Sequence, residues 1–503
     1  MPTSTEKQNM VRPPVVAILG HIDHGKSTLL DYIRKSNVVE SEAGGITQHV
    51  HAYAITHKTK DGNTRDITFI DTPGHAAFSS SRARSTNIAD IGIIIVSAEE
   101  GVKEQTKESI KIATEGNVPY IIAINKIDRP NANIDKVKQD LVEYGVYVEG
   151  YGGNVPVAPV SSKTGEGIED LLDFIVLMAD LEEFDKDDNK AAEGFILESS
   201  IDQKVGTITS AIIKNGTLHT GDFIANSGVI SKIKKIESFD GKTITSASAS
   251  SPVNIYGLSE IAVAGESFLT FETKKDAESF IKDLVKNTVI QKTDTESTVE
   301  DERVIFPIVL KADMIGTLEA LKKEIAACDT EDVRTKILSA GVGSISEKDI
   351  KLAASAKNPV VIGFNVSPDP AAVDFAENTK TPIEIFNVIY RTLEYLVEEI
   401  NKRTPKKVEE KLLGTAKVIR LFNATKRKQV IGAKVTDGSI AKNSKIKLVR
   451  NTHEIDSGHI NELQIERVPV KLAEKGSQFG ATIDMGHGVA LGDELQAFTI
   501  IEK

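Results

Sequence analysis

Four short segments in the first third of the chain carry residue types and spacings suited to nucleotide chemistry. They are GHIDHGKS at 20–27, DTPGH at 71–75, NKID at 125–128 and SSK at 161–163. The first fits the spacing of Gly, four residues and Gly-Lys-Ser, in which glycines let backbone N–H groups close around phosphate oxygens. The segment concerned is Gly20, His21, Ile22, Asp23, His24, Gly25, Lys26, Ser27 and Thr28. Lys26 is expected to reach the β- and γ-phosphates, and Ser27 to ligate Mg²⁺. Asp71, after an apolar run, would hold the same ion through water. Gly74 can turn its amide toward a γ-phosphate, and His75 comes next, where an attacking water would be oriented. For His75 alone, a solvated loop histidine is the plainer alternative.

NKID decides the base. The Asp128 carboxylate can accept from the ring N–H and the exocyclic amine of guanine, whereas adenine lacks that amine. Each such charge-assisted bond is worth about 1.5–3 kcal/mol, and a site of this kind discriminates by roughly 10⁴-fold. Asn125 and Lys126 would brace the loop and cover the ring, while Ser161, Ser162 and Lys163 form the second wall. Between the first two motifs, AGGITQH at 43–49 describes a glycine-rich loop. Thr47 would complete the Mg²⁺ shell only when a γ-phosphate is present, which gives an order–disorder switch. Together the motifs imply GTP hydrolysis.

Each motif falls at the carboxyl end of an apolar run: VVAIL, DITFID, YIIAIN and VPVAPVS. Strands alternating with helical stretches predict a doubly wound α/β sheet, which binds ligands at that end. The rest of the chain predicts a multidomain α/β and β architecture. A polar tail at 1–12 precedes a nucleotide domain at 13–183. A β-barrel is expected at 190–272, where glycine-punctuated short runs replace helical periodicity. Then come a helix and linker at 273–302 and an α/β domain at 303–380. A long connecting helix is expected at 381–404, from the recurrence of Ile383, Phe386, Ile389, Leu393, Leu396 and Ile400. A C-terminal β-barrel completes the set at 413–503.

The composition is 40% hydrophobic and 27% charged, with a net charge of −12. That balance argues against a wholly basic nucleic-acid coat but allows a local basic face. Such a face is available at 413–450, where Lys417, Arg420, Lys426, Arg427, Lys428, Lys434, Lys442, Lys445, Lys447 and Arg450 meet only Asp437. It reads either as a phosphate track or as a solvated barrel surface. Arg82 and Arg84, after DTPGH, pose a similar choice between RNA contact and surface pairing. The lone cysteine, Cys328, excludes an internal disulfide. No apolar run reaches membrane-spanning length, and MPTSTEKQNM lacks the apolar core of a signal peptide, so a cytoplasmic address without membrane contact is expected.

The motifs GHIDHGKSTLLDYIR, AGGITQHVHAY, DTPGHAAFSSSRAR, AINKIDRPNAN and SSKTGEGIEDLL resemble translational GTPases, and bacterial translation initiation factor 2 in particular. LKADMIGTLEAL, SAGVGSISEKDIKLAASA and VIGFNV are similar to that family's third domain. The resemblance implies a monomeric factor that, with GTP and Mg²⁺, brings formylmethionyl initiator tRNA to the ribosome and promotes subunit joining. Ribosomal subunits, ribosomal RNA and other initiation factors are the implied partners. His75 would be the catalytic histidine, Ile22 and Ile46 the apolar gate that keeps it from water, and Asp23 a ligand of a monovalent cation. Ala433 and Phe479 stand where the family has cysteines near the formylmethionine pocket. The alternatives are another tRNA-delivering translational GTPase, such as a specialised elongation factor, and a binding protein that uses GTP only as a structural ligand.

Overall fold

The computed structural model describes residues 10–34, 47–287, 303–404, 408–424 and 428–502. They divide into two compact units, one ending at Arg403 and one beginning at Thr404. No helix among the described residues is long and apolar enough to cross a membrane.

The first unit begins with a short strand, β1 (Met10–Val11), and then β2 (Val15–Gly20), whose VVAILG is buried throughout. There follow α1 (Lys26–Arg34), β3 (His51–Lys58), β4 (Thr64–Asp71), α2 (Ser79–Ile88), β5 (Ile91–Ser97), α3 (Glu104–Glu115), β6 (Tyr120–Asn125), α4 (Ile134–Glu143), β7 (Val157–Pro159) and α5 (Ile168–Glu182). The sheet order is β3-β4-β2-β5-β6-β7, parallel except for the antiparallel β3–β4 pair. Central strands buried on both faces explain their unbroken apolar runs. One face packs Leu29, Leu171 and Ile175 from α1 and α5; the other packs Ile110, Val137 and Leu141 from α3 and α4. Strand order reverses at β2, so the loop after it opens into the crevice where ligands bind.

The polar tail expected at 1–12 does not extend that far. Met10 and Val11 pair antiparallel with β8 (Asp185–Lys186). Arg12 is buried and bonds both Asp90 carboxylate oxygens, at 2.6 and 2.7 Å. A buried guanidinium needs such a bidentate partner, and Asp90, on the turn between α2 and β5, provides it.

Residues Glu193–Phe271 form an eight-stranded antiparallel sheet. Ile224 and Ile236, near opposite ends of its strand order, meet in one core with Ile196, Ala211 and Phe268, so the sheet curls as the expected barrel. After the Lys274–Asn287 helix comes a four-stranded parallel sheet, with helices Ile315–Ala327, Glu347–Ala354 and Pro370–Thr379 between its strands.

Here the expected connecting helix is corrected. Ile383–Phe386 is a strand, paired parallel with Val360–Phe364, and the helix spans only Ile389–Arg403. Ile383 and Phe386 keep helical spacing with Ile389 and Leu393, but their backbone groups complete a sheet edge. The helix is not a free strut either: Ile389, Leu396 and Ile400 lie in the same core as Phe306, Ile308 and Leu321. The α/β domain therefore runs on through Arg403 rather than stopping at 380.

The second unit is a closed six-stranded antiparallel barrel. The long strand Val408–Ala424 pairs with both Glu494–Glu502 and Lys428–Ala441, which closes the ring. Ala433 and Phe479 are directly opposed across two strands, and both are buried in the barrel core. Strand alternation turns them inward, where the phenylalanine fills space against Ile431 and Ala481.

Candidate nucleotide site

Three of the four motif loops line one cavity of about 410 Å³, bounded by Ile22, Asp23, Gly25, Lys26, Ser27, Thr28, Thr47, Gly74, His75, Phe78, Lys126 and Tyr390, and the fourth, SSK at 161–163, is tied to NKID by hydrogen bonds. Lys26 opens α1, and its Nζ donates to the carbonyls of Gly20 at 2.9 Å and His21 at 2.7 Å. Burial pushes its pKa down to about 8, against the opposing pull of Asp71. A Cβ on Gly74 would lie 2.5 Å from Lys26 Nζ and 3.2 Å from Ile22 Cγ1, so Lys26 would have to shift to admit one. Gly25 has φ +92°, and a Cβ on it would lie 2.3 Å from Asn125 Nδ2; both conditions exclude a side chain.

The histidines of the loop differ. His24 is fully buried beneath it, Nδ1 3.3 Å from both the Ser97 N–H and the Ile95 carbonyl, and burial pushes its pKa down to about 3. Its ring is a neutral support rather than a phosphate ligand, and the residue serves the site through its carbonyl. His21 is partly exposed, burial also lowers its pKa, and the next amide, of Ile22, donates to Gln105 at 2.9 Å.

Ser27 Oγ and Thr47 Oγ1 are 2.8 Å apart, and Thr47 Oγ1 donates to Asp71 Oδ2 at 3.5 Å. Three oxygen-bearing side chains from α1, the loop before β3 and the end of β4 are thus brought together. Ile46 lies outside the described residues, so only the Ile22 half of the expected gate is placed; it lines the cavity beside Gly74 and His75.

Asn125 ends β6 and is almost wholly buried. Its Nδ2 donates to the His24 carbonyl at 2.8 Å, and its Oδ1 accepts from the Ser162 amide at 3.0 Å and hydroxyl at 2.9 Å. One amide side chain thus locks three loops together. Asp128 is exposed, and its Oδ1 accepts from the Ser161 hydroxyl at 2.7 Å. That bond chiefly holds its carboxyl below the usual range. Lys126, with φ +64°, extends along the cavity wall to within 3.5 Å of Glu100, and Lys163 is exposed. The result is an exposed, ionised carboxylate tied to the SSK loop.

His75 caps the short 3-10 turn Ala76–Phe78, its Nδ1 accepting the Ala77 N–H at 2.9 Å. Its carbonyl accepts from Arg82 at 2.6 Å. Burial, and then the Arg82 charge, lower its pKa, so the ring is neutral and carries its proton on Nε2. Arg82 itself is not an RNA contact: it is fully buried, bonding the Pro73 and His75 carbonyls and Glu108. Arg84 pairs with Glu319 of the α/β domain at 2.5 Å.

Sequence reasoning missed Tyr390, Gln48 and Phe78. Tyr390 carries one available signal: it is an aromatic residue off the buried Ile389–Leu396–Ile400 stripe of its helix. Gln48 and Phe78 carry none.

Comparison with known proteins agrees with this geometry. The Elongation factor Tu GTP binding domain matches residues 12–180, Elongation factor G domain 2 matches 191–271, and Translation-initiation factor 2 matches 281–397. The translation initiation factor IF-2 of Bacillus licheniformis is 39% identical over 507 residues, covering 99% of this chain and 70% of that protein. That of a Geobacillus species is 38% identical, covering 98% and 68%. Among solved structures, GDP-bound aIF5B from Aeropyrum pernix aligns over 97% of this chain and 92% of its own, at 24% identity and a TM-score of 0.47. The relatives' names and the match at 281–397 weigh against a specialised elongation factor. The guanine-nucleotide pocket and the near full-length similarity agree: the chain belongs to the translation initiation factor 2 family, as a translation initiation factor and a GTPase.

Proposed function

We propose that this factor uses GTP with Mg²⁺ to place formylmethionyl initiator tRNA on the ribosome and promote subunit joining, hydrolysing GTP when the ribosome stimulates it. The observation that carries the reading is the convergence of Ser27, Thr47 and Asp71 beside Lys26 and His75. Thr47 comes from a segment distant from the phosphate loop, so a γ-phosphate and its ion would draw it in, and GDP would release it. The donor set, two hydroxyls and a carboxylate, suits a hard cation that keeps several waters. When bound, Mg²⁺ neutralises charge on the β- and γ-oxygens. Asp23, exposed on the cavity wall at φ +63°, is the residue to hold a monovalent cation.

His75 acts on the water. With its proton on Nε2 it is a donor there, a tautomer suited to orienting water and stabilising developing negative charge rather than abstracting a proton. Ile22 shields it on one side. The partners are ribosomal subunits, ribosomal RNA, initiator tRNA and other initiation factors; the factor works as a cytoplasmic monomer. On the barrel, Lys417, Arg420, Lys434, Lys442 and Lys445 are exposed and suit the tRNA acceptor end. Lys447 and Arg450 are engaged with Glu410, Glu454 and Asp493.

The test is nucleotide-dependent binding of initiator and elongator tRNAs, each formylated and unformylated, to ribosome complexes, with hydrolysis measured in parallel. GTP should favour the formylated initiator. His75→Ala should keep GTP binding and lose stimulated hydrolysis by roughly 10²-fold or more. Indifference to formylation and to nucleotide would defeat the proposal.

A further inference from the structure

Tyr390 reaches the phosphate cavity from the α/β domain, far along the chain from the phosphate loop at 20–27. Its ring meets His75 edge to face, with centroids 4.5 Å apart and planes at 75°. Phe78 flanks the same imidazole at 6.3 Å. With Nδ1 engaged by Ala77, the imidazole is held at one edge by a hydrogen bond and packed by two rings.

The position of Tyr390 is itself fixed. Gln48 Nε2 donates to the Asn387 carbonyl at 3.0 Å, and the Ile389 amide donates to Gln48 Oε1 at 3.3 Å. Gln48 is the neighbour of Thr47. The start of one helix therefore touches both the segment that carries the ion ligand and the residue that carries the reaction. Phe78 and Ala77 are packed into the α/β core, and Lys323 donates to the Ser79 hydroxyl at 2.6 Å. Tyr390 itself is exposed to 43%, so its ring is not needed to fill that core.

We propose that Tyr390 is a positioning residue for hydrolysis: it holds the His75 imidazole in a resting orientation and restrains turnover until the α/β domain withdraws it. This rests on His75 being the residue that acts on water. An edge-to-face aromatic pair favours one orientation by roughly two- to tenfold. The full-length factor should therefore hydrolyse GTP without ribosomes faster by about that factor once the ring is removed.

Single-turnover hydrolysis by the factor alone is compared for the native chain, Tyr390→Ala, Tyr390→Leu and Tyr390→Phe, and for His75→Ala with and without Tyr390→Ala. Tyr390→Ala and Tyr390→Leu should raise the rate constant rather than change KM. Tyr390→Phe keeps the ring and should show the smaller rise, and the gain should vanish in the His75→Ala background. GDP binding reports which variants are folded, and leucine retains bulk should alanine fail. A folded Tyr390→Ala or Tyr390→Leu chain with a native or lower rate overturns the proposal, as does a gain that survives loss of His75. Ribosome-stimulated hydrolysis of His75→Ala is read separately: if it persists, the assignment of His75 fails, whatever the tyrosine variants do.

Discussion

Asp128 and Lys26 show how much of the site depends on single ionisation states. Asp128 is anchored through one oxygen by Ser161. Replacing it with Asn substitutes a donor for one acceptor, which suits the 2-oxo group of xanthine and leaves the guanine amine without a partner. Asp128→Asn should weaken GTP by roughly 10²-fold or more and favour xanthosine triphosphate, measured by competition binding; native affinity for GTP would refute the assignment. Lys26 makes a second prediction. Burial lowers its pKa to about 8 in the free protein, and the negative charge of bound phosphate oxygens should raise it. Between the two values, binding takes up a proton. Nucleotide affinity should therefore be level below pH 8 and fall above it, by up to about tenfold per pH unit. Calorimetry in buffers of different ionisation enthalpy at about pH 8.5 should show proton uptake, and its absence would mean Lys26 stays charged throughout.

The elements that present these residues were legible where one interaction dominates. Buried parallel strands such as VVAILG and YIIAIN admit little but apolar residues, so their ends, and the motif loops after them, stand out in the sequence. The strand Ile383–Phe386 did not, because so short a segment can satisfy a helical spacing and a sheet edge alike, and only pairing with Val360–Phe364 decides. Contacts brought together by tertiary packing, such as Tyr390 on His75, leave no periodic trace. For Ala433 and Phe479, alignment gives a position, and only the barrel's register shows that both face inward. The Ile389–Arg403 helix yields an element-scale prediction. Inserting two glycines after Glu394 rotates the C-terminal half of the helix by about 200°. That carries Leu396 and Ile400 off their core, and each loses about 1.5–3 kcal/mol of burial. Chemical unfolding should show a loss of several kcal/mol in the first unit. A stability change under about 1 kcal/mol would show that the helix is a free strut after all.

At the scale of the molecule, the barrel at Glu193–Phe271 and the α/β domain share a buried carboxylate. Glu198 accepts the Gly316 N–H at 3.1 Å, and burial pushes its pKa up to about 7. Because the folded value exceeds the ordinary 4.5, the stability associated with its proton is present in acid and is lost as the pH rises from 4.5 to 7. Glu198→Gln keeps an acceptor for Gly316 and removes the charge. The variant should match the native chain near pH 4 and exceed it by on the order of 2–3 kcal/mol above pH 7, as urea unfolding would show. Parallel pH profiles would mean that the carboxylate is solvated.

The pairing of Met10–Val11 with Asp185–Lys186 has a consequence in time rather than space. A ribosome adding about 5–20 residues per second makes the two strands roughly ten to thirty seconds apart. For that interval the nascent nucleotide domain lacks its clasp, although the bidentate Arg12–Asp90 pair can already form. Each new copy of this initiation factor is thus left unlatched partway through its own translation, open to chaperones and proteases until Lys186 has cleared the exit.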